Sequence, residues 1–311
     1  MLPIISIKNF SKSFGKTKAV ENLNLDIEKG ELFGLIGPDG AGKTTTIRTI
    51  VTLMAPDSGE IYVNNLDVSK DIRKIRSITG YMPQRFSLYP DLSINQNLNF
   101  FANLFDVPKK EIAGRKKRLF QFSNLEPFAN RLAGQLSGGM KQKLALSCTL
   151  IHNPVVLILD EPTTGVDPVS RNEFWIILKE LKSEGVTILV STPYMDEALK
   201  CDRIAIMHEG SVLAHGKPEA LTALIDNNIY KLTGSGLINK YIDSIVQITG
   251  ILSVQSFGDS LHLTFPKLTS EQEINDKIKD ILKQNFMLKQ IEPTIEDVFI
   301  ALVEGKSQNG N

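Results

Sequence analysis

Apolar runs that alternate with helical patterns predict an α/β protein with a mainly parallel sheet covered by helices. ELFGLIG leads into TTTIRTIVTLM, and VVLILD, NEFWIILKELKSEG and VTILVS repeat the order as far as about residue 220. Two further observations refine the class. SGEIYVNNLDV, around Ile61 and Val63, reads as an antiparallel hairpin placed after the first helix. Beyond AHGKPEAL the order becomes β-α-β-β-α-β, which predicts a small ferredoxin-like α+β domain. The expected divisions are 1–224 for the first domain, 225–305 for the second and 306–311 for a polar, disordered tail.

Each element has its own warrant. Ile188, Leu189 and Val190 form a buried strand that ends in Ser191 and Thr192, and Met195 to Ala198 begin a helix. Phe174 and Trp175 fall at helical spacing in NEFWIILKEL and read as core or interface residues. In the second domain the strands are IYKLTG, ILSVQSF, SLHLTFP and FMLKQIEP, with helices LINKYIDSIVQI and EQEINDKIKDILKQN between them. Leu261, Leu263 and Phe265 alternate with polar neighbours, so His262 is expected to face solvent. Ile295, Val298, Phe299 and Leu302 line one face of a last helix.

Composition excludes several function classes. A chain of 311 residues with 42% hydrophobic content can bury a sizeable core in about two domains. Its 35 basic and 35 acidic residues cancel, so there is no cation excess to release counterions from a nucleic acid, and nucleic acid is not the expected partner. The run Arg115-Lys116-Lys117-Arg118 reads as a solvated helix face. Cys148 and Cys201 lack a CxxC or a His-rich companion, which argues against a disulfide framework or a zinc site and fits a reducing cytoplasm. MLPIISIKNF is not a secretory leader, and no run approaches the roughly 20 apolar residues that span a bilayer.

The chemistry is concentrated in three places. GLIGPDGAGKTTTIRTI carries Gly37, Gly42, Lys43 and Thr44 in the spacing G-x-x-x-x-G-K-[ST], between a strand and a helix. Backbone N–H groups of such a loop turn inward on a phosphate, the lysine reaches the β- and γ-oxygens, and the hydroxyl can ligate Mg²⁺. VVLILDEP ends a buried strand with Asp160 and Glu161. One carboxylate there can hold Mg²⁺ and its neighbour can polarise an attacking water, although an acidic pair at a strand end also suits a cap or a surface turn. QLSGGMKQKLAL places Ser137, Gly138 and Gly139 at a helix start, where they form either a second anion site or a plain N-cap.

Together with GYMPQ and LDEPTTGVDP, these segments resemble the ATP-binding subunits of ABC transporters over residues 4 to about 220. The resemblance implies ATP and Mg²⁺ as cofactors, with the nucleotide held by residues 37–45 (Gly37, Pro38, Asp39, Gly40, Ala41, Gly42, Lys43, Thr44 and Thr45). It assigns Mg²⁺ to Thr44, Gln84 and Asp160, and catalysis to Glu161, Gln84 and Lys43. Phe14 corresponds to the aromatic that stacks on adenine, though its position near a strand also suits a core. Two such domains pair head to tail in that family, so Ser137, Gly138 and Gly139 would act on a partner's ATP and Asp167 would cross the interface. The spelling LSGGMKQK and the ending EPTIEDVFIAL resemble the ABC-2 export type, including drug exporters. That implies a separate integral membrane permease, a second ATP-binding domain that is identical or different, and a cytoplasmic location on the inner face of the membrane. One position departs from the pattern: where the family reads S-T-H, this chain reads STPYMDEA, so Pro193 stands in place of the switch histidine. Slowed hydrolysis with ATP binding retained is the expectation, unless Ser191, Thr192 or a reshaped turn supplies the missing contact. A hydrolysis-impaired regulatory subunit in a heterodimer is the alternative.

Overall fold

Five consecutive buried residues, Leu32–Ile36, form strand β3 in the interior of a six-stranded sheet. In the computed structural model all residues are described except 1, 86–87, 235–237, 283–284 and 310–311, together with the side chains of 238–239 and 306–309. The chain divides into two units, Met1–Pro218 and Glu219–Asn311.

In the first unit, β1 (Ile5–Phe14), β2 (Thr17–Ile27), β4 (Ser58–Val63) and β5 (Leu66–Asp67) make an antiparallel sheet in the order β2-β1-β4-β5. The second sheet contains β3, β6 (Thr79–Met82), β7 (Val156–Asp160), β8 (Thr187–Thr192), β9 (Arg203–His208) and β10 (Ser211–Gly216), in the order β10-β9-β3-β8-β7-β6. Its strands run parallel except at β10. The continuous apolar runs of β3, β7 and β8 follow from burial on both faces, which parallel strands require. Ile47 and Ile50 of α1 (Lys43–Ile50) share one core with Ile7 and Phe10 of β1 and with Phe33, Ile158 and Leu189 of the parallel sheet. Helix α2 (Ile72–Ile78) lies on the connection into β6. The helical region comprises α3 (Ile94–Leu104), α4 (Lys109–Ser123) and α5 (Gly138–Leu150), and α6 (Pro168–Ser183) packs on α5. A capping box between Ser93 and Gln96 starts α3.

The basic run meets its expectation in part. Arg115 donates to Ile151 O at 2.9 Å and pairs with Glu111 at 2.6 Å, Lys116 donates to Asn99 Oδ1 at 2.9 Å, and Arg118 pairs with Glu184. Lys117 and Arg118 are exposed, as a solvated face requires, while Arg115 and Lys116 are partly buried and tie α4 to Ile151 and Asn99. The segment after β8 is also shorter than a full helix: Met195–Lys200 is a 3-10 segment.

Helix α7 (Pro218–Thr222) starts at the last residue of the first unit, and the second unit has strands β11 (Asn228–Gly234), β12 (Ser253–Phe257), β13 (Ser260–Phe265) and β14 (Phe286–Ile291). Their antiparallel order β12-β13-β11-β14 is the ferredoxin-like arrangement that the element order predicts. The first expected helix is broken into a 3-10 turn, Ile238–Tyr241, and α8 (Ile242–Val246), while Leu237 lies outside the described residues. Ile274, Ile278 and Leu282 of α9 (Glu271–Leu282) pack on Leu232, Leu261 and Phe265.

His262 corrects the sequence expectation. It is buried, because Phe257 and the last helix, α10 (Ile295–Asn309), meet the face of β13 that was expected to be wet. Its Nδ1 is hydrogen-bonded to Asp297 Oδ1 at 2.9 Å, and its ring lies 4.0 Å from that of Phe257. Burial opposes ionisation of Asp297, but hydrogen bonds from His262 and Thr294 outweigh it and hold the carboxyl below the usual Asp range. Of the expected tail after Lys306, the backbone as far as Asn309 continues α10, and residues 310–311 lie outside the described residues. Among the described residues no helix is long and apolar enough to cross a membrane.

Candidate nucleotide site

Three adjacent parallel strands, β3, β8 and β7, bring the site together at their carboxyl ends. Their register pairs Ile36 with Thr192 and Asp160 with Ser191, so residues after β3, β7 and β8 become neighbours without being close in sequence. The loop after β3 closes on Gly42, which caps α1 at φ 100°. A Cβ there would lie 2.5 Å from Ala19 O, so both the turn and the packing require glycine.

Lys43 is only 3% exposed. Its Nζ donates to Gly37 O at 2.8 Å and to Pro38 O at 3.0 Å, and lies 3.2 Å from Glu161 Oε1. The loop therefore aims a buried ammonium at the carboxylate that ends the β7 segment. Glu161 Oε2 accepts from Gln84 Nε2 at 2.9 Å and from Thr164 Oγ1 at 3.5 Å. Its backbone N–H reaches Ser191 Oγ at 3.0 Å, and its φ is 50°. A non-glycine residue in that left-handed region is strained, and neighbouring contacts on several sides hold it there.

Asp160 faces Thr44. Its Oδ1 accepts from Thr44 Oγ1 at 3.0 Å and from Ser191 Oγ at 2.8 Å, while the buried Oδ2 has no hydrogen-bond partner. Burial pushes the Asp160 carboxyl upward, the hydroxyls of Ser191 and Thr44 oppose the shift, and the Glu161 charge adds to it. A buried carboxylate oxygen left unpaired beside a hydroxyl suits a hard divalent cation, which takes oxygen ligands. Because the folded protein favours the protonated acid, stability should fall as pH rises above the ordinary Asp range and through the raised folded value. Asp160→Asn is thus expected to raise the midpoint of thermal unfolding by about 2–4 °C at neutral pH without divalent metal. A thermal-unfolding series from pH 4 to pH 8 checks this. An unchanged pH dependence in the variant would show that Asp160 is not the group responsible.

Phe14, residues 39–45, Gln84 and Glu161 line a cavity of about 680 Å³. Its size is in the range of small-molecule sites. Phe14 is 50% exposed at the end of β1, an available stacking surface rather than a core side chain. Thr17, Lys18 and Glu209 line the same cavity and were not singled out from the sequence. Glu209 was within reach of the strand-end rule, since it directly follows β9.

Ser137, Gly138, Gly139 and Asp167 are absent from the described lining of that cavity. Ser137 caps α5, accepting from Met140 N at 3.3 Å, and Asp167 caps α6, accepting from Ser170 N at 2.9 Å. That backbone N–H holds the exposed Asp167 carboxyl below its usual range. Gly139 packs so closely on α6 that a Cβ would meet Ser170 Oγ at 2.3 Å. The segments 137–139 and 167–170 therefore form one contiguous surface.

At the turn after β8, the hydroxyls of Ser191 and Thr192, the two candidates to replace the missing histidine, are occupied. Ser191 Oγ donates to Asp160 and accepts from Glu161 N. Thr192 Oγ1 donates to Glu197 Oε2 at 2.5 Å and accepts from Tyr194 N at 3.1 Å. Pro193 has no N–H to offer.

Fold and site together define a P-loop nucleotide-binding domain followed by a ferredoxin-like unit. The ABC transporter family profile matches residues 20–164. The probable multidrug ABC transporter ATP-binding protein YbhF of Escherichia coli (strain K12) is 40% identical over 307 residues, covering 97% of this chain and 52% of that protein. The chain thus spans about half the length of the first curated relatives it matches. The linearmycin resistance ATP-binding protein LnrL of Bacillus subtilis (strain 168) is 31% identical over 304 residues, 96% of this chain and 98% of that protein. Among solved structures, the dimeric ATP-binding cassette MJ0796 in a post-hydrolysis state with ADP and Pi aligns at a TM-score of 0.62 and 30% identity, over 68% of this chain and 98% of that one. The chain belongs to the ATP-binding proteins of ABC transporters.

Proposed function

We propose that this chain binds Mg²⁺-ATP and couples a slow hydrolysis to export through a separate membrane permease of the ABC-2 type. The observation that carries the reading is the convergence of Lys43 and Glu161 on the cavity that Phe14 and residues 39–45 line, with the half-satisfied Asp160 hydrogen-bonded to Thr44 of that lining. Thr44, Gln84 and Asp160 would hold Mg²⁺, which supplies charge neutralisation at the β- and γ-phosphate oxygens. Lys43 orients the phosphates, Gln84 holds Glu161, and Glu161 takes the proton of the attacking water. Export is supported by the relatives, one named for multidrug transport and one for linearmycin resistance.

The site is completed in this reading by the 137–139 segment of a second domain, since the same segment of this chain is absent from the cavity's described lining. The Glu161→Gln chain, which should bind ATP without consuming it, is therefore expected to associate into dimers when Mg²⁺-ATP is added. Sedimentation velocity reads the result, and Ser137→Arg should abolish the association while leaving ATP binding intact. ATP-saturated chain that stays monomeric on its own, but pairs with a different ATP-binding subunit, would replace the homodimer by a heterodimer. Pairing with neither would overturn the sandwich. Recovery of an integral membrane protein with the tagged chain tests the permease.

A hydrolysis-impaired regulatory subunit is the second reading, and the turn at Pro193 favours it. Ser191 and Thr192 are already engaged, so neither hydroxyl supports compensation for the histidine. Losing one preorganised donor aimed at developing charge slows a reaction by about 10²- to 10³-fold.

A further inference from the structure

Behind the Pro193 turn lies a carboxylate to which the hydrolysis scheme gives no role. Glu197 is completely buried, with 0% exposure. Its Oε2 accepts from Thr192 Oγ1 at 2.5 Å and from Thr163 Oγ1 at 3.1 Å, and its Oε1 accepts from the indole Nε1 of Trp175 at 2.8 Å. Arg171 Nε lies 3.8 Å from Oε1, and the guanidinium stacks over the Tyr194 ring at 4.1 Å. A buried carboxylate is stable only when paired and hydrogen-bonded, so each of these groups is held to one arrangement.

The partners come from three places that matter to the reaction. Thr192 immediately precedes Pro193, and Thr163 is two residues beyond Glu161. Trp175 and Arg171 belong to α6, whose first turn carries Asp167 as its cap and Ser170 against Gly139. One side chain thus joins the strained Glu161 turn, the turn at the switch position and the helix that supports the 137–139 segment. The first two lie in the chain's own ATP site, whereas the third is the half-site that it would present to a partner.

We infer that Glu197 is a positioning residue that links the catalytic turn at Glu161 to the 137–139 and 167–170 surface, so that ATP occupancy of one is felt at the other. This deepens the ATPase reading and rests on it. Glu197 is fully buried and is not among the described lining residues of the nucleotide cavity. It fixes the backbone from which Glu161 projects, and it fixes the helix that carries the partner-facing segment.

Trp175 is the only tryptophan in the chain, which makes the connection directly observable. Its indole N–H is on Glu197 and Lys200 Nζ lies 5.5 Å over its ring, so its emission responds to this hydrogen bond within that setting. Mg²⁺-ATP added to the full-length chain is expected to shift Trp175 emission, with saturation following ATP binding measured separately by a fluorescent ATP analogue. Glu197→Ala should abolish the ATP-dependent shift and lower kcat at least 10-fold, with KM for ATP changed less than about 2-fold. Glu197→Gln, which retains one acceptor oxygen, should recover much of both signals. Thr192→Val, which keeps Trp175 and Glu197 in place, should lower kcat in the same direction and guards against Glu197→Ala failing to fold.

The outcomes separate the inference from the reading beneath it. If the wild-type chain does not bind the ATP analogue, the ATPase reading fails before Glu197 is tested. If ATP binds and Trp175 emission stays constant, or if the folded Glu197 and Thr192 variants keep the wild-type kcat, the positioning role is overturned. A lowered melting temperature with unchanged kcat would assign Glu197 to stability alone.

Discussion

Glu161→Gln is expected to reduce Mg²⁺-ATP turnover at least 10²-fold while leaving ATP affinity within a few-fold of wild type. The amide keeps the shape of the carboxylate, and one oxygen can still accept from Gln84, so the turn that holds Glu161 at φ 50° should survive. It loses the ability to take a proton from water, which positioned general bases supply at 10²- to 10⁴-fold in rate. It also loses the charge that faces Lys43 at 3.2 Å, leaving the ammonium more fully available to the nucleotide phosphates. Affinity should thus hold or improve. Steady-state phosphate release and equilibrium binding of a fluorescent ATP analogue check the two parts separately. Turnover that survives the substitution would mean that Gln84 or Asp160 activates the water instead.

Lys43→Ala should act on the other half of the cycle, weakening ATP binding by about 10²-fold, or roughly 3 kcal/mol. The lost ammonium is buried and held by the carbonyls of Gly37 and Pro38, so it is a fixed cation in a low-dielectric loop. Its removal also leaves Glu161 Oε1 without its ion-pair partner, a cost that falls on the folded protein. The variant should therefore be less stable than wild type as well as weaker in binding. Isothermal titration with Mg²⁺-ATP and a urea titration of the free protein measure the two effects. Unchanged affinity would place the phosphates away from the loop.

Much of this site was legible because its chemistry is written in contiguous segments. Residues 37–44 carry their own phosphate logic, and the strand ends at Asp160 and Ser191 follow from continuous apolar runs. Glu197 was not legible in the same way. Its partners Thr163, Trp175 and Thr192 come together only through the packing of α6 and β8, and MDEALK reads locally as an ordinary helix start. His262 differs for a related reason: alternation along β13 predicts one wet face, and the return of α10 together with Phe257 dries it. The basic run of α4 shows the same limit, since spacing reveals the charges but not the carbonyl of Ile151 and the carboxylate of Glu184 that engage them. Contiguous motifs and strand periodicity survive the absence of tertiary information, whereas pairings between distant segments do not.

The role of Pro193 is open to one direct measurement, steady-state Mg²⁺-ATP turnover across a concentration series for the wild-type chain and Pro193→His. The proline withholds a donor that Ser191 and Thr192 are already too occupied to replace. Turnover of the histidine variant should accordingly exceed wild type by at least about 10-fold with KM for ATP little changed. Wild-type turnover equal to that of the variant, and dependent on Glu161, would contradict this account and show that the turn at Pro193 already supplies what the histidine would.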